Sequence, residues 1–598
     1  MKKFLFTLAI VVAAFAQANA QSMSLTEIDE KYKIEDYAIP YFTPFLVAKE
    51  AAKANPTEAN MATLYQRIAE LKPYQYPYDV VVNINGDPTT RMAFAWYTND
   101  RMTEGQVQLT PINDLAALTT VFDTATNVIA VPATPTATKK SRYAIGASGI
   151  PAATGVPMST KYKYTSHKAI AENLTPNTIY AYRVGTDGYW SEVAYFTTAP
   201  KNEVDVSEEF TFIYMTDSHI LDQGYIDAVR QTATAAVNNV PEAKFCVFPG
   251  DHVETGGSGN PEWEWERWFE EAMRPVIKQM PIVPTDGNHD DSNNLNYSYH
   301  FNTNNSFKMN AQTKPQFDGI TYSFMYGDVL FLVFSMQDYW KGSPNMTNLT
   351  CPYLTNDVGN WFRDQVAAHP EAKLRVALVH KNIFSGSGHQ EDEETPLFRA
   401  TMLPIMKECE IDLVMQGHDH CYEVIGPVNP DIRTPILDAI TDREEVPTNV
   451  SMSGYKGGIF TVDEGALYFI GATCGSKKYY PYTKAQMESY YSDHQVKNYF
   501  DLFTGMFCQP GAPSYTSFSI KDKTITVNSY TSDKEGNSTL FNTFQIVRVK
   551  EHTPFTGLED ICVEQLPTGD VTTKLLYKGQ IILMRNGIAY DVLGNIIQ

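Results

Sequence analysis

Cysteine is scarce in this chain and never forms a closely spaced pair. Seven cysteines are spread over 598 residues, and no two of them are separated by only two residues. An odd number at such wide spacing does not support a disulfide framework, although one or two isolated bridges stay open. Cys421 directly follows His420, and we expect it to be a small buried apolar residue rather than a metal ligand.

Basic residues are also too few to balance the acidic ones. The chain has 47 Lys and Arg against 69 Asp and Glu, which gives a formal net charge of −22. A nucleic-acid partner is therefore not expected, because a phosphate backbone requires a basic surface. A hydrophobic content of 43% with 12% aromatics excludes a disordered chain, and the length predicts two to four domains.

Long apolar runs are missing after the first twenty residues. Met1–Lys3 is basic, residues 4–15 are apolar, and Ala18–Ala20 is a small-residue cleavage site. The apolar run is shorter than the roughly 20 residues that a membrane anchor needs. Residues 1–20 therefore read as a secretory signal peptide, with export to the periplasm, the cell surface or the medium. No cysteine follows the cleavage site, so a lipid anchor is not indicated.

The composition of the chain changes at several points that predict domain boundaries. Residues 21–77 are acidic and partly helical in pattern, which suggests a packed extension. Residues 78–200 contain short alternating runs separated by turn residues, a pattern typical of a small β-sandwich. The runs are 79–83, 91–97, 162–164 and 179–184.

Residues 206–548 alternate strand-like and helical segments, which predicts a layered α/β domain. The expected strands are 210–215, 245–248, 281–284, 375–379 and 411–415, with a hairpin over 322–336. The expected helices are 225–239, 262–278, 357–368 and 397–410. Residues 549–598 form a separate β tail with a type I′ turn signal at Asn586-Gly587. This tail is similar to type IX secretion sorting signals, and a simple capping hairpin is an equal alternative.

Four groups of polar residues follow apolar runs in the middle of the chain. They are Asp217-Ser218-His219, Gly250-Asp251, Gly287-Asn288-His289-Asp290, and Val379-His380 with Gly417-His418-Asp419-His420. Each lies just past the carboxyl end of an expected strand, where open α/β sheets assemble their sites. Mixed carboxylate and imidazole ligands suit transition metals, so the set predicts a binuclear metal centre.

In this order, the motifs resemble those of the calcineurin-like metallophosphoesterase superfamily, and more narrowly its purple acid phosphatase-like branch. Residues 174–200, with Tyr180–Gly185 and Phe196–Pro200, look like the end of the fibronectin type III-like domain that this branch carries before its catalytic domain. The resemblance implies a catalytic β-sandwich flanked by helices, preceded by an all-β fibronectin III/Ig-like domain.

The resemblance also implies a role for each candidate residue. The implied ligands of the first metal are Asp217, His219 and His420, those of the second metal are Asn288, His380 and His418, and Asp251 would bridge the two. His289 would contact the phosphoryl group and protonate the leaving group, with Asp290 orienting its ring. The implied reaction is hydrolysis of a small phosphate monoester or diester by in-line attack of a metal-bridging hydroxide.

The chain departs from the purple acid phosphatase pattern at two positions. It has His219 where that branch has glycine, and Glu254 where that branch has a tyrosine ligand. The family's colour comes from tyrosinate bound to ferric iron, so we expect a colourless or weakly coloured protein. The two divalent or trivalent ions could then be Zn, Mn or Fe.

Other residues near the motifs leave alternatives open. We expect His252 to support the site rather than reach substrate, whereas His389 lies either near the phosphate or on a solvated loop. Core packing explains Trp263, Trp265 and Trp268 better than substrate stacking does. A different class of function also stays open, namely a surface-displayed binding protein on a catalytically silent phosphoesterase scaffold.

Overall fold

The computed structural model describes most of the chain between residues 23 and 590. The described residues are 23–138, 141–142, 161–201, 208–254, 262–290, 296–304, 307, 319–337, 339–428, 440–441, 455–483, 485–486, 489, 505–553, 573–577, 580–585 and 588–590. The expected signal peptide and the Asn586-Gly587 turn lie outside the described residues. No helix in the described part of the chain is long and apolar enough to span a bilayer.

The first described segment is a cluster of three helices, α1 (Leu25–Lys31), α2 (Ile39–Ala54) and α3 (Glu58–Glu70). Ser24 and Glu27 form a capping box at the start of α1, and the Thr57 side chain caps α3. Such caps satisfy backbone N–H groups that a helix leaves unpaired. Buried side chains including Ile28, Phe42, Phe45, Leu64 and Ile68 hold the cluster together.

The next segment is built almost wholly from strands. They are β1 (Tyr78–Asn83), β2 (Met92–Asn99), β3 (Gln106–Ile112), β4 (Ile129–Pro132), β5 (Thr134–Ala137), β6 (Ser141–Arg142), β7 (Lys161–Tyr162), β8 (Tyr164–Ala171), β9 (Ile179–Thr186), β10 (Tyr189–Trp190) and β11 (Ala194–Thr197). One sheet has the order β1-β2-β8-β5, and a second contains β10-β9-β3-β4 with β11 against β9. Phe94 of the first sheet packs against Tyr182 of the second, with ring centroids 5.2 Å apart. The two sheets therefore share an aromatic core.

The larger segment alternates strands and helices as the sequence predicts. Its first half contains β12 (Phe210–Tyr214), α4 (Gln223–Asn239), β13 (Cys246–Pro249), α5 (Glu262–Arg267), a π turn (Trp268–Ala272), α6 (Arg274–Ile277), β14 (Ile282–Thr285), α7 (Asn296–His300), β15 (Tyr322–Tyr326) and β16 (Val329–Val333). Its second half contains a π turn (Tyr353–Val358), α8 (Gly359–Ala368), β17 (Leu374–Leu378), α9 (Glu394–Glu408), β18 (Leu413–Met415), β19 (Tyr422–Val428), β20 (Ile440–Thr441), β21 (Tyr455–Lys456), β22 (Ile459–Thr461), β23 (Ala466–Gly471), β24 (Gly505–Cys508), β25 (Ser514–Lys521), β26 (Thr524–Ser532) and β27 (Ser538–Val547).

Two sheets of this segment face each other. One has the order β21-β22-β27-β26-β25-β12-β13-β14, and the other has the order β15-β16-β17-β18-β23-β19-β24-β20. Phe212 lies between them, 5.2 Å from Phe518 in its own sheet and 5.6 Å from Phe331 in the opposite sheet. Helices α4 and α6 cover one outer face, and α8 and α9 cover the other. The result is a mixed α/β fold with a β-sandwich between helices.

The sheet of the strand-rich segment joins the larger sandwich, which the sequence does not predict. Strand β1 pairs in parallel with β14 through Asn83 and Ile282, so the first sheet continues to twelve strands. The Asn83 side-chain amide also donates to the Ile282 carbonyl at 3.0 Å. A short tail of three antiparallel strands, β28 (Thr573–Tyr577), β29 (Gln580–Arg585) and β30 (Ile588–Tyr590), completes the described chain.

One buried carboxylate ties the end of β27 to the opposite sheet. Asp412, directly before β18, accepts hydrogen bonds from the Arg375 backbone at 2.8 Å and the Arg548 guanidinium at 2.9 Å. His552 Nε2 lies 3.1 Å from the same carboxylate. A charge-assisted network of this kind is strong only while every member is present.

Replacing Asp412 with alanine is therefore expected to lower the free energy of unfolding by about 3 kcal/mol, because it removes the buried one of the two carboxylates that pair with the Arg548 guanidinium and leaves only Glu410. Thermal unfolding followed by circular dichroism measures the shift in Tm. Glu464→Ala is the matched control, since it breaks an exposed ion pair with Lys550 that is worth less than about 1 kcal/mol. Equal Tm values for the two variants would contradict the assigned role of Asp412.

Candidate metal centre

The two facing sheets bring their polar strand ends to one edge. Strands β12, β13 and β14 are parallel neighbours in one sheet, and β17 and β18 are parallel neighbours in the other. Asp217, Asp251 and Asn288 follow the first three strands, while His380 and His418 follow the other two. Parallel strands end on the same side, so side chains that are distant in sequence converge there.

The backbone at this edge is strained in a way that aims the side chains inward. Asp217, His219, Asp251 and His418 all adopt positive φ angles, of 55°, 46°, 51° and 73°. Residues with side chains rarely occupy this region, and such strain concentrates at functional sites. Gly287 allows the tight packing, because a Cβ atom there would lie 2.1 Å from Asp251 Oδ1.

Two groups of buried ligand atoms result, and they share one carboxylate. One group is Asp217, His219, Asp251 and His420, and the other is Asp251, His380 and His418. Within the first group, His420 Nε2 lies 2.9 Å from His219 Nε2 and 3.4 Å from Asp217 Oδ1. Nitrogen atoms this close, facing a carboxylate, fit a shared metal ion.

The second group is centred on His380. Its Nε2 lies 3.2 Å from Asp251 Oδ2 and 3.0 Å from the Asn288 side-chain oxygen. Its Nδ1 lies 2.8 Å from the Pro249 carbonyl, which can only accept, so Nδ1 carries a proton and Nε2 faces the site. The structure thus brings together all seven predicted ligands.

Protonated imidazoles offset the negative charge of the buried carboxylates. Burial alone would lower the pKa of His219, but Asp217 and Glu254 raise it to about 9. Burial would likewise lower the pKa of His380, and the Asp251 carboxylate raises it to about 9. Both imidazoles are therefore protonated at neutral pH.

The carboxylates respond in the opposite direction. Burial would raise the pKa of Asp217, but hydrogen bonds with His219 and His420 hold it well below its ordinary value. Burial by contrast lowers the pKa of His420 to about 4, which leaves a neutral imidazole ready to ligate. The donor set contains ionised carboxylates, a neutral imidazole and imidazoles whose protons a metal ion can displace. Such a set suits a pair of transition-metal ions.

Glu254 occupies a position that the sequence alone marks only as a departure. Its Oε2 atom lies 2.5 Å from His219 Nδ1, and the Lys477 ammonium lies 3.3 Å from the same carboxylate. Burial would raise the pKa of Glu254, but contact with His219 lowers it to about 2. An ionised carboxylate on the outer nitrogen fixes the ring and directs the other nitrogen to the site.

The prediction that Asp290 orients the His289 ring is wrong. The Asp290 carboxylate does not orient His289; it lies 2.8 Å from His252 Nδ1 and accepts the His252 and Gly287 backbone N–H groups, each at 2.8 Å. The reason is that His252 points inward, among buried rings that include Phe248 and Trp268. Asp290 thus braces the two loops that carry Asp251 and Asn288, which agrees with a supporting role for His252.

His289 lies at the mouth of the site. Its ring centroid is 4.8 Å from that of His219, and its side chain is 29% exposed. Nδ1 lies 2.5 Å from the Glu254 carbonyl oxygen. Because that oxygen can only accept, Nδ1 carries a proton and Nε2 is the nitrogen that can exchange one with a substrate.

His389 lies beside the site rather than on a distant solvated loop. Its ring stacks on His418 at 3.7 Å, and its Nδ1 lies 2.7 Å from Asp392 Oδ2. Tyr479 similarly stacks on His420 at 4.2 Å. Sequence reasoning missed Asp392 and Tyr479, although the spacing of His389 and Asp392 within one turn could have suggested the first.

Several other expectations agree with the structure. Trp263, Trp265 and Trp268 are buried, as core packing predicts. Cys421 is buried and contacts Glu423 at 3.1 Å, outside both ligand groups. The six described cysteines are buried and are not joined to one another by disulfides.

Family models match the two parts of the chain that surround and precede this site. A model of calcineurin-like phosphoesterases matches residues 210–422, which contain all seven candidate ligands, and a model of the purple acid phosphatase N-terminal domain matches residues 77–198. The purple acid phosphatase PPD1 of yellow lupin seeds has a similar fold, with a TM-score of 0.52 at 13% identity over 79% of this chain and 75% of that one.

Curated relatives match less of the chain, and each is longer than its matched region. An uncharacterized protein of Mycobacterium tuberculosis is 24% identical over 44% of this chain and 52% of its own length. Probable purple acid phosphatase 20 of Arabidopsis thaliana is 24% identical over 43% and 55%. The bovine serine/threonine-protein phosphatase CPPED1 is 28% identical over 32% and 58%. The chain thus spans about half the length of these relatives.

The N-terminal match covers the strand-rich segment, and the phosphoesterase match covers the larger sandwich from β12 to the first residue of β19. The chain carries a calcineurin-like metallophosphoesterase domain preceded by a purple acid phosphatase N-terminal domain.

Proposed function

We propose that the chain is a binuclear metal-dependent phosphoesterase that hydrolyses small phosphate esters. The observation that carries this proposal is that two buried ligand groups share Asp251. A carboxylate that faces both groups can hold two cations close together, which suits reactions at phosphorus. Phosphatases among the relatives of the domain support the same chemistry.

The residues divide the work between the two sites. Asp217, His219 and His420 would hold one cation, and His380, His418 and the Asn288 amide oxygen would hold the other. When bound, the pair supplies an activated water and neutralises charge on the phosphoryl oxygens.

His289 is the group that would act on the substrate itself. It lies at the exposed side of the site with Nδ1 fixed by the Glu254 carbonyl. In-line hydrolysis forms a bond from a water oxygen to phosphorus, releases a proton from that water and breaks the opposite phosphorus–oxygen bond. With Nε2 also protonated, the His289 ring would give that second proton to the departing oxygen as this oxygen takes the electron pair, and the ring would be left neutral with its proton on Nδ1.

We also propose that the protein is exported. The basic start, the apolar run and the small-residue cleavage site at 1–20 support this proposal. N-terminal sequencing of the protein purified from its native cells tests it, with Gln21 as the expected first residue. A mature chain that still begins at Met1 would contradict export by this signal.

Substitutions at Asp251 and His289 are expected to separate metal binding from catalysis. Asp251→Ala should remove nearly all of the two ions per chain and the activity, because both sites lose a ligand. His289→Ala should keep both ions while lowering kcat by about 10²–10⁴-fold, the usual contribution of a general acid. Elemental mass spectrometry and hydrolysis of 4-nitrophenyl phosphate and its bis-ester measure the two properties.

His369→Ala is the matched control for these variants, since His369 is partly exposed and pairs with Glu371 away from the site. It should retain metal and activity. Equal metal loss in Asp251→Ala and His289→Ala would contradict the assigned roles. Two ions without turnover of any ester would instead favour a binding function.

Metal binding is expected to release protons from His219 and His380. Their pKa values of about 9 mean that each carries a proton below pH 9 that a metal ion must displace, so apparent affinity rises with pH. The expected slope is about tenfold per pH unit for each site between pH 6 and 8. Calorimetric titration with Zn²⁺ in buffers of different ionisation enthalpy counts the released protons.

Glu254→Gln provides the sharper comparison for this titration. It removes a carboxylate that raises the pKa of His219, so fewer protons should be released at the same pH. Glu464→Gln, on an exposed ion pair, should release as many as the parent. A proton count that is independent of Glu254 would contradict the role assigned to this carboxylate.

Iron-loaded protein is expected to lack an intense visible absorption band. Glu254 contacts His219 and occupies the position where purple acid phosphatases have their tyrosine ligand. The nearby Tyr479 remains a neutral phenol. Burial and then the Asp217 and Asp251 carboxylates raise the pKa of Tyr479 to about 12. Absorption spectra of the ferric protein measure this, and a strong charge-transfer band would show that a tyrosinate is bound.

A further inference from the structure

A pocket with a volume of about 470 Å³ opens beside the metal-ligand groups. Its lining includes three tyrosines, Tyr479, Tyr480 and Tyr482, together with His389 and Asp392. This size falls within the range of about 300–1,000 Å³ that small-molecule sites occupy. The three tyrosines come from one short segment, 479–482, so a single loop supplies most of the aromatic surface.

The inner wall of the pocket is in direct contact with the ligand imidazoles. His389 stacks on His418 at 3.7 Å with an interplanar angle of 23°, and Tyr479 stacks on His420 at 4.2 Å with an angle of 9°. One ligand from each metal group is therefore covered by a ring that also lines the pocket. The pocket therefore adjoins both ligand groups through these two rings.

Hydrogen bonds hold the tyrosine segment in place. The Tyr482 hydroxyl donates to Glu391 Oε1 at 2.6 Å, and its backbone N–H donates to the Gly386 carbonyl at 2.8 Å. The Tyr479 carbonyl accepts a hydrogen bond from the Gln509 side chain at 2.5 Å. Tyr480, between them, is 54% exposed. A preformed surface with one large exposed ring loses little freedom when a planar ligand stacks on it.

The two charged side chains that line the pocket both have partners. Asp392 Oδ2 lies 2.7 Å from His389 Nδ1 and 3.7 Å from His418 Nε2. The Lys478 ammonium donates to the Gly511 carbonyl. Space remains above the loop, because a Cβ atom built on Gly388 would meet no atom within 4 Å.

We propose that this pocket is the leaving-group subsite of the phosphoesterase and that it takes a planar, uncharged aromatic alcohol. The substrate class is thus an aryl phosphomonoester, whose ring is attached directly to the ester oxygen. This assignment rests on the proposed function and adds the class of substrate to it. Stacking on Tyr479 and Tyr480 would provide the selectivity, since aromatic pairs prefer offset or edge contacts at such distances.

Phenylphosphonate and methylphosphonate test the subsite without any chemical step. They share the phosphonate group that the metals would bind and differ only in the ring. In the Zn²⁺-loaded full-length protein, calorimetry is expected to show phenylphosphonate binding at least about tenfold more tightly. Tyr480→Ala should reduce this preference to below about threefold, while Tyr480→Phe should preserve it, because the ring is retained.

Leu540→Ala is the control variant, since Leu540 is 50% exposed on β27 and does not line the pocket. It should keep the parent preference. Equal binding of both phosphonates to the parent, or an unchanged preference in Tyr480→Ala, would overturn the subsite and leave the phosphoesterase proposal standing. Failure of both phosphonates to bind the metal-loaded protein would overturn the subsite and the phosphoesterase proposal together.

The base of a nucleotide could stack in the same pocket, although a ribose separates the base from the phosphate ester. The kcat/KM values for phenyl phosphate and adenosine 5′-monophosphate distinguish the two. Tyr480→Ala is expected to lower kcat/KM for phenyl phosphate by about tenfold and to change glycerol 2-phosphate by less than twofold. A loss confined to adenosine 5′-monophosphate would overturn the aryl assignment and give the pocket to a nucleobase.

Discussion

Two ionised carboxylates buried at one edge of a sandwich are the constraint that organises this protein. Asp217 and Asp251 have essentially no exposed surface, and an isolated buried carboxylate is costly unless positive charge compensates it. His219 and His380 can be understood as the response to that cost, and Glu254 helps to keep the proton on His219. The protonated His219 and His380 supply the compensation in the absence of other cations, and they yield it when metals arrive.

The same constraint explains why the surrounding backbone is strained. Four of the residues at the site lie at positive φ, which a chain accepts only where packing fixes it. Parallel strands in two facing sheets provide that packing, and the Asp290 carboxylate fastens the loops after β13 and β14 to each other. Asp290 is therefore important through the backbone that it holds, and its effect on chemistry would pass through Asp251 and Asn288.

The sequence predicts the strands, the helices and the convergence of the ligands because each depends on local pattern. An apolar run that ends in Asp217 or Asp251 marks both a strand and its polar end. The hairpin over 322–336 and the helices around 225–239 and 359–368 follow from the same periodicity. Sequence does not predict the direction in which a loop side chain points. For this reason the predicted contact of Asp290 with His289 is wrong, and the places of Asp392 and Tyr479 beside the site are not predicted. The union of β1 with β14 depends on a single residue pair between distant segments, which leaves no local signal.

The departures from the purple acid phosphatase pattern at residues 219 and 254 make sense as one change rather than two. A glycine and a tyrosine would give a single ligand from the second position, whereas here His219 provides the ligand nitrogen and Glu254 fixes it from behind at 2.5 Å. Lys477, 3.3 Å from Glu254, sits two residues before Tyr479. The segment that contacts the first ligand group thus continues directly into the aromatic wall of the neighbouring pocket, so one stretch of chain borders both.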